Sequence, residues 1–539
     1  MLWKKESIGK DARLVDFLDS ERTHHKHIFS LFDDISESKK VLEKSGKLST
    51  HYRKKAMSQL ESKNWHEAIE LLNEALCFAE NDSQDVGGAY AERSTCFFNL
   101  HMYDHCLTDI KLARSSKCPQ VVQAKLSKLR ESCKKMLKIS PNTEAEDDFK
   151  PTLSFDASEQ CPFVANVVKI EGKEKMGRCI TATRDIDVGQ AIMVEEGFVW
   201  STTENYRRCC VCLETTNPLV PCKNCTDSLM CFGKCEKNQL HEIECNMGLP
   251  TVNGKEVNGK EVNFQLVVRS ILMALKTIPN LNELIRFVER IVSAEDNEPI
   301  NSASTPLSRY AVFLENGLKW QWPKKENKTY IGHIKRIHEA FMDNDDFAEL
   351  FEDDDHERFL RHLIGHHICA LQYATPNVCI GENDGTSVHS IIGRFFFHSC
   401  YPNAVLVTSD RSTVAVTIRP IEKGEEVTVS YLPDELNRST KYRRKWLLVQ
   451  YNLMCFCSRC TQPATAASNA TALSKLQKNE LRNASNRDPK KQAKRRNLTV
   501  ACTKYLNANG REQWCDDIYY MLHAYIQLLC TKYYLNLKH

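Results

Sequence analysis

A run of paired sulfur and imidazole ligands constrains this chain more than any other feature. From Cys209 the sequence reads CCVCLETTNPLVPCKNCTDSLMCFGKCEKNQLHEIEC, with ligand pairs Cys209-x2-Cys212, Cys222-x2-Cys225, Cys231-x3-Cys235 and His241-x3-Cys245. Zinc takes four such ligands in a tetrahedron, so these pairs predict two closed, structural sites with no open position for catalysis. The stretch carries few large apolar residues and cannot hold itself together by burial. Metal must supply much of its folding free energy, on the order of 10 kcal/mol per structural site. Cys210 lies outside the regular spacing and reads as a bystander. The chain has 24 cysteines and opens on MLWKKESIGK, which lacks a signal-peptide core. Reduced thiols in cytoplasm and nucleus are therefore expected in place of a disulfide framework.

A second cluster lies downstream. Cys455-x-Cys457-x2-Cys460 gives three thiolates, and the chain can return a fourth from Cys400 in HSCYPN. Such a site pins the segment that follows against the His-Ser-Cys loop. Between them, STVAVTIRPIEKGEEVTVSY alternates in the manner of two strands around a Lys-Gly turn and delivers Tyr431 at a strand end. Upstream, KMGRCITATRDIDVGQAIMVEEGF (175–198) has the same texture, and its Gly177-Arg178 lets backbone approach a ligand closely.

The N-terminal third repeats itself. RKKAMSQLESKNWHEAIELLNEALCFAE aligns with AERSTCFFNLHMYDHCLTDIKLARSS when residue 56 is set on residue 94. Ala56 then meets Ser94, Leu60 meets Phe98, Trp65 meets Tyr103, Ala68 meets Cys106, Leu72 meets Ile110 and Ala75 meets Ala113. Small residues where helices cross, with an aromatic at the turn, predict two helix-turn-helix units; this pattern resembles the tetratricopeptide repeat. A further helix over 119–139 covers the second unit. The array serves either as a groove for partner proteins or as a buttress.

At 539 residues several domains are expected. The hydrophobic fraction of 42% and charged fraction of 27% are those of a globular protein. A net charge of +3 gives no support to sequence-independent nucleic-acid binding, and no apolar run approaches a membrane span. TVNGKEVNGKEVN (251–263) reads as a loop insertion, and the texture from 264 to 372 is helical. His366-His367 is placed on a helix surface, and the acidic stretch 341–359 as a solvated loop. RDPKKQAKRRN (487–497) reads as a charged helix end, with a nuclear import signal as the alternative. WCDDIYYMLHAYIQLLCTKYYLNLKH reads as an amphipathic helix packed on the β-rich lobe.

These motifs together carry a resemblance. The first cysteine cluster resembles the MYND zinc finger, which implies that the first and third pairs hold one zinc and the second and fourth the other. It also implies proline-containing peptides as partners. Met230 stands where that finger has an aromatic, and only EKNQL separates the third pair from His241, so a looser second site or a shorter helix is expected. HSCYPN, Tyr431 and the following cysteines look like a SET domain split by the finger and a helical insert. The whole, roughly 50–462, resembles the tetratricopeptide-bearing branch of the SET and MYND domain-containing lysine methyltransferases.

The resemblance implies an α+β multidomain fold. Its parts are helical repeats (50–138), the N-terminal part of the SET domain (160–206), the finger (207–245), a helical insert (263–370), the C-terminal SET core (371–433), a post-SET zinc element (434–462) and C-terminal helices (463–539). It implies S-adenosyl-L-methionine as methyl donor, three zinc ions, and a protein lysine as acceptor. Tyr431 matches the catalytic tyrosine, and Gly177, Arg178, Phe397, His398 and Tyr431 match positions around the donor. A monomer without direct nucleic-acid or membrane binding is expected.

The match breaks at the donor pocket. Phe397 stands where the family carries asparagine, and its side chain offers no hydrogen bond. One such loss costs roughly 1–3 kcal/mol, or about 5- to 150-fold in affinity. Ala374 replaces another asparagine, with Asn377 three residues on, and Leu453 replaces an aromatic beside the adenine. Two readings stand: a working methyltransferase, or an adaptor built on the same scaffold.

Overall fold

The computed structural model describes residues 43–535, apart from 119, 140–149, 174–176, 203–205, 216, 248–253, 258–259, 294–302, 319–327, 373–385, 410, 433–435, 452, 462–467 and 483–491. Ala374 and Asn377 therefore lie outside the described residues. The chain divides into two compact units, one built from 34–150 and 201–250, the other from 151–200 and 251–536.

The first unit begins with helices α1 (Gly46–Glu61), α2 (Trp65–Phe78), α3 (Gln84–Asn99), α4 (Tyr103–Ser115) and α5 (Gln120–Ile139). The repeat seen in the sequence extends to the backbone. The α1–α2 and α3–α4 turns both carry a non-glycine residue in the left-handed region, Lys63 at φ 60° and His101 at φ 61°. They also share their closing bonds: Asn64 N–H donates to Gln59 O and Met102 N–H to Phe97 O, each at 2.9 Å. The matched small residues Ala56, Ser94, Ala68, Cys106, Ala75 and Ala113 are all fully buried, as helices in close contact require.

The same unit holds the cysteine-rich module. Strands Leu219–Pro221 and Leu229–Cys231 form an antiparallel hairpin, and α6 (Gln239–Asn246), capped by Asn238, follows it. Val220 belongs to the repeats' apolar cluster, and Phe232 packs against it. The link is also polar. Arg93, fully buried on α3, grips Asp109 of α4 through two bonds of 2.7 Å and donates to Leu219 O at 2.9 Å and Asn73 Oδ1 at 2.5 Å. Asn73 in turn donates to Tyr206 O at 2.7 Å.

In the second unit, Val168–Lys173 pairs antiparallel with Gly177–Ala182. A three-stranded sheet runs in the order Ala404–Ser409, Ser412–Thr417, Ala191–Glu196. Neither strand-turn-strand stretch of the sequence closes on itself as a hairpin. The first gives one strand to each sheet. The second gives Ser412–Thr417 to the larger sheet, and then Thr428–Val429 lies parallel to Phe397–His398. Gly424, at φ 85°, makes the turn between them.

Helices Phe264–Thr277, Leu281–Ser293, Pro306–Leu318, Lys328–Met342, Asp345–Leu350 and Asp354–Gln372 make the insert. Three expectations are corrected here. The acidic stretch 341–359 is helical for much of its length, its carboxylates leading two helix N-termini. The tandem duplication forms a short antiparallel pair, Gly254–Val257 with Lys260–Val262. His366 and His367 are buried, not on a surface: His367 lies 2.8 Å from Ser270 Oγ and 3.1 Å from Tyr310 OH, and His366 Nε2 lies 2.7 Å from Leu314 O. Those partners satisfy both imidazoles without metal, and burial pushes His367 well below its ordinary pKa.

Helices Gln492–Asn509 and Asp516–Leu535 pack on the β core of this unit. Tyr401 OH donates to Gly510 O at 2.9 Å, and Val188 N–H to Asn507 Oδ1 at 3.0 Å. No described helix is long and apolar enough to cross a membrane.

Candidate functional site

The twelve predicted metal ligands fall into three sets: Cys209, Cys212, Cys231 and Cys235; Cys222, Cys225, His241 and Cys245; Cys400, Cys455, Cys457 and Cys460. Within each set the ligand atoms lie within 4.8 Å of one another. Tetrahedral zinc with bonds near 2.3 Å places its sulfurs roughly 3.8 Å apart. The Sγ separations of 3.5 Å (Cys212–Cys231), 3.8 Å (Cys222–Cys245), 3.9 Å (Cys400–Cys455) and 3.6 Å (Cys400–Cys460) fit that figure. Cys210 belongs to none of the sets.

Local backbone builds each corner. Leu213 at φ 62° closes a turn in which its N–H returns to Cys209 O at 2.9 Å, holding Cys209 and Cys212 side by side. Met230 is buried with Leu219 and Leu229, filling the place where an aromatic was expected. The second set is the more open, since Cys225 and Cys245 are only half-buried. Lys44 Nζ donates to Cys222 O at 2.6 Å and Cys77 O at 2.9 Å. Burial lowers its pKa, and neighbouring thiol groups offset part of that shift.

The third set sits under a crossing of two chain segments. Phe397–His398 runs beside Thr428–Val429, and Ser399 N–H extends the pairing to Val429 O at 2.9 Å. Asn403, the last residue of HSCYPN, locks the crossing. It donates to Glu425 Oε1 and Glu426 O, and accepts from Thr428 N–H at 2.8 Å. Cys400 then meets the distant triplet, and Arg443 Nη2 lies 3.4 Å from Cys460 Sγ.

Tyr431 emerges from this crossing. Its hydroxyl donates to Phe396 O at 3.0 Å, and its N–H donates to His398 Nδ1 at 3.0 Å. Because Nδ1 accepts, Nε2 carries the proton and faces Cys400 Sγ at 3.2 Å. His398 therefore spends both ring nitrogens inside the protein, joining Tyr431 to the sulfur cluster. The Tyr431 ring stands 4.9 Å from that of Tyr451, which stands 5.8 Å from Trp446, and Leu453 packs with them. Tyr451 escaped the sequence reading. Its signal was an aromatic four residues before a ligand cysteine.

Phe397 is half-buried, while Phe395 and Phe396 are core residues. Gly177 begins a strand, and Arg178 turns to Glu315 of the insert at 2.7 Å, its guanidinium 5.3 Å from the Phe395 ring. Three buried groups here lack a hydrogen-bond partner among the described residues: Arg178 Nε, Glu315 Oε1 and both amide atoms of Asn316. Asn316 follows Glu315 on one helix and is fully buried. Such atoms are rare without a ligand or water. A guanidinium N–H and an amide N–H suit a carboxylate, while a carboxylate oxygen and an amide oxygen suit an ammonium. The Arg178–Glu315 pair, each with one unpartnered buried atom, offers both kinds of group, the chemistry that the amino-acid end of S-adenosylmethionine would require. Glu315 was not legible as a site residue, since its partner Arg178 lies 137 positions away, and nothing in the sequence marks the buried Asn316 beside it.

Glu195 was also missed. Fully buried, it accepts from Ser390 Oγ, Ile391 N–H at 3.1 Å and Ile392 N–H at 3.0 Å, so it anchors the loop leading to 397. Burial raises its pKa, with Arg309 opposing the shift.

The SET domain family matches residues 177–432 of this chain. Protein-lysine N-methyltransferase SMYD4 of Danio rerio is 19% identical over 529 residues, covering 81% of this chain and 68% of that protein. Histone-lysine N-methyltransferase ASHR1 of Arabidopsis thaliana is 27% identical over 53% of each. SMYD4 of Mus musculus is 22% identical over 45% of this chain and 39% of its own. The match thus spans about half, or less, of the plant and mouse relatives.

Proposed function

The chain belongs to the SET and MYND domain-containing family of protein-lysine methyltransferases, and from that premise we propose that it transfers methyl groups from S-adenosylmethionine to lysine side chains of proteins. The observation that carries this reading is Tyr431, set between the Phe396 carbonyl and the Tyr451 ring above a complete sulfur cluster. The donor, when bound, supplies a methyl group on a sulfonium.

The chain's own residues account for the rest. A free lysine has a pKa near 10.4 and must lose its proton to act as nucleophile. Aromatic walls from Tyr431, Tyr451 and Trp446 exclude water, which favours the neutral amine. The Phe396 carbonyl and the Tyr431 hydroxyl fix polar contacts at the reacting end and reduce the entropy of alignment. His398 and the third metal set act as positioning elements, holding Tyr431 by its backbone. Arg178, Glu315 and Asn316 would hold the donor's amino-acid end. The finger and the repeats would bring partner proteins, with proline-containing peptides as the finger's class.

A second reading is favoured by Phe397 and Leu453: an adaptor that keeps the scaffold and has lost donor binding. Calorimetric titration of zinc-replete protein with S-adenosylmethionine separates the two. The methyltransferase reading expects binding, tightened about 5- to 150-fold by Phe397→Asn if one hydrogen bond is restored. It also expects Tyr431→Phe to keep binding while losing most methyl transfer to a lysine-bearing protein array. No binding by folded wild-type protein at millimolar donor would leave the adaptor.

A further inference from the structure

We propose that the exposed face of the helix Thr440–Tyr451, with the segment Leu453–Phe456, docks an acidic, apolar-faced segment of the protein substrate next to the lysine it presents. The inference rests on the methyltransferase reading and adds a substrate class to it.

The helix is inverted relative to an ordinary surface helix. Its buried positions are Arg443 and Leu447, and its exposed stripe carries Lys441, Tyr442, Lys445, Leu448 and Val449. These recur at helical spacing and so share a face. Met454 and Phe456 continue the apolar surface, with Val449 65% and Phe456 71% exposed. Exposed side chains of this size in one place mark an interaction site more often than scattered ones do. Arg444 adds a cation 5.6 Å from the Phe456 ring.

The charge is one-sided. No Asp or Glu stands between Glu435 and Glu480 in the sequence. Lys441 and Lys445 form no ion pair among the described residues, and a partner segment that satisfies both them and the bare apolar side chains is apolar on one face and acidic beside it. The surface is also preformed. Arg443 Nη2 lies 3.4 Å from Cys460 Sγ, Arg444 Nε donates to Cys455 O at 3.0 Å, and Leu453 N–H to Leu447 O at 3.2 Å. Pinning the helix to the sulfur cluster leaves little ordering cost for a partner to meet.

Position assigns the partner to the substrate. Leu448 stands three residues before Tyr451, on a neighbouring face of the helix, and the Tyr451 ring lies 4.9 Å from that of Tyr431. At about 1.5 Å of rise per residue, a segment seated on Leu448 and Val449 lies within one helical turn of the aromatic walls. A bilayer offers anionic charge and apolar depth but no lysine, so this adjacency favours a polypeptide.

The test uses the full zinc-replete chain and a fluorescent, helix-forming peptide with Leu and Phe on one face, Glu beside them and a central Lys. Polarisation should report binding that weakens with salt, while a version with Glu exchanged for Arg should not bind. The pair Val449→Ser with Phe456→Ser, and separately Lys441→Glu with Lys445→Glu, should each weaken binding at least about tenfold. Zinc content and donor titration should be unchanged, which shows that the fold survives. Peptide binding is read without turnover, so its failure beside intact donor binding sinks this inference and spares the enzyme reading. Equal binding of both peptides, no binding, or recruitment to anionic vesicles without peptide binding would each overturn it.

Discussion

The two units solve the same problem, burying a carboxylate, in opposite ways. In the repeat-and-finger unit Asp109 is paired with a full charge, Arg93, which reaches on to the finger's hairpin. In the SET unit Glu195 is held chiefly by one hydroxyl and two backbone N–H groups, with Arg309 only at 3.5 Å. The difference follows from what each carboxylate joins. Arg93 and Asp109 sit on neighbouring repeat helices beside an apolar cluster that includes Leu72, Phe97 and Ile110, and the guanidinium has donors to spare for the hairpin at Leu219. Glu195 sits on a strand of the three-stranded sheet and fixes one loop through its N–H groups.

Metal removal is the strongest way to break that contrast. Chelation should unfold the finger, where each site contributes on the order of 10 kcal/mol. Hydrogen exchange should then show Leu219–Pro221 and Leu229–Cys231 unprotected while the sheet of 191–196, 404–409 and 412–417 keeps its protection. Loss from the sheet first would reverse the assignment. Next in size, Arg93→Met strands Asp109 in the interior and should cost about 3–5 kcal/mol in chemical denaturation. Glu195→Gln in the other unit should cost only about 1–3 kcal/mol.

The last test concerns pH, with an effect that is small per pH unit. Burial pushes His389 down to about 3. Its folded pKa lies below the unfolded value near 6.5, so the unfolded chain binds the extra proton first. Stability should therefore fall as pH drops from about 6.5 towards 3, by about 1.4 kcal/mol per pH unit from this group. His389→Phe should remove that slope from the denaturation midpoint, and comparison with wild type cancels the zinc contribution. An unchanged slope would place the proton elsewhere.

Legibility in the sequence followed the range of the interaction. Ligand pairs two or three residues apart, and a repeat matched residue by residue, are local patterns, and the structure assembles them at those positions. The return of Cys400 to Cys455–Cys460 was readable because zinc demands a fourth ligand. What escaped depends on partners with no such demand. Asp109 and Glu195 look like any surface acid until Arg93 and Ser390 arrive from elsewhere. His366 and His367 look polar until Ser270, Tyr310 and Leu314 O satisfy them. Strand partners are long-range in the same way: the two strands around the Lys-Gly turn were readable, but that the second joins Phe397–His398 was not.

The separation between Cys400 and Cys455, 55 residues, has a consequence for how the protein is made. Both finger sites are complete in sequence once Cys245 has been translated, so that module can take its metal early. The third set stays open until Cys460 emerges. At roughly 5–20 residues per second the interval from Cys400 to Cys460, 60 residues, is about 3–12 seconds. During it the nascent chain holds Cys400 without its partners, and the crossing below Tyr431 has no clasp. A ribosome that stalls in this window would present a finished first cysteine module together with an unfinished SET domain, and a chaperone that shields thiols would matter most there.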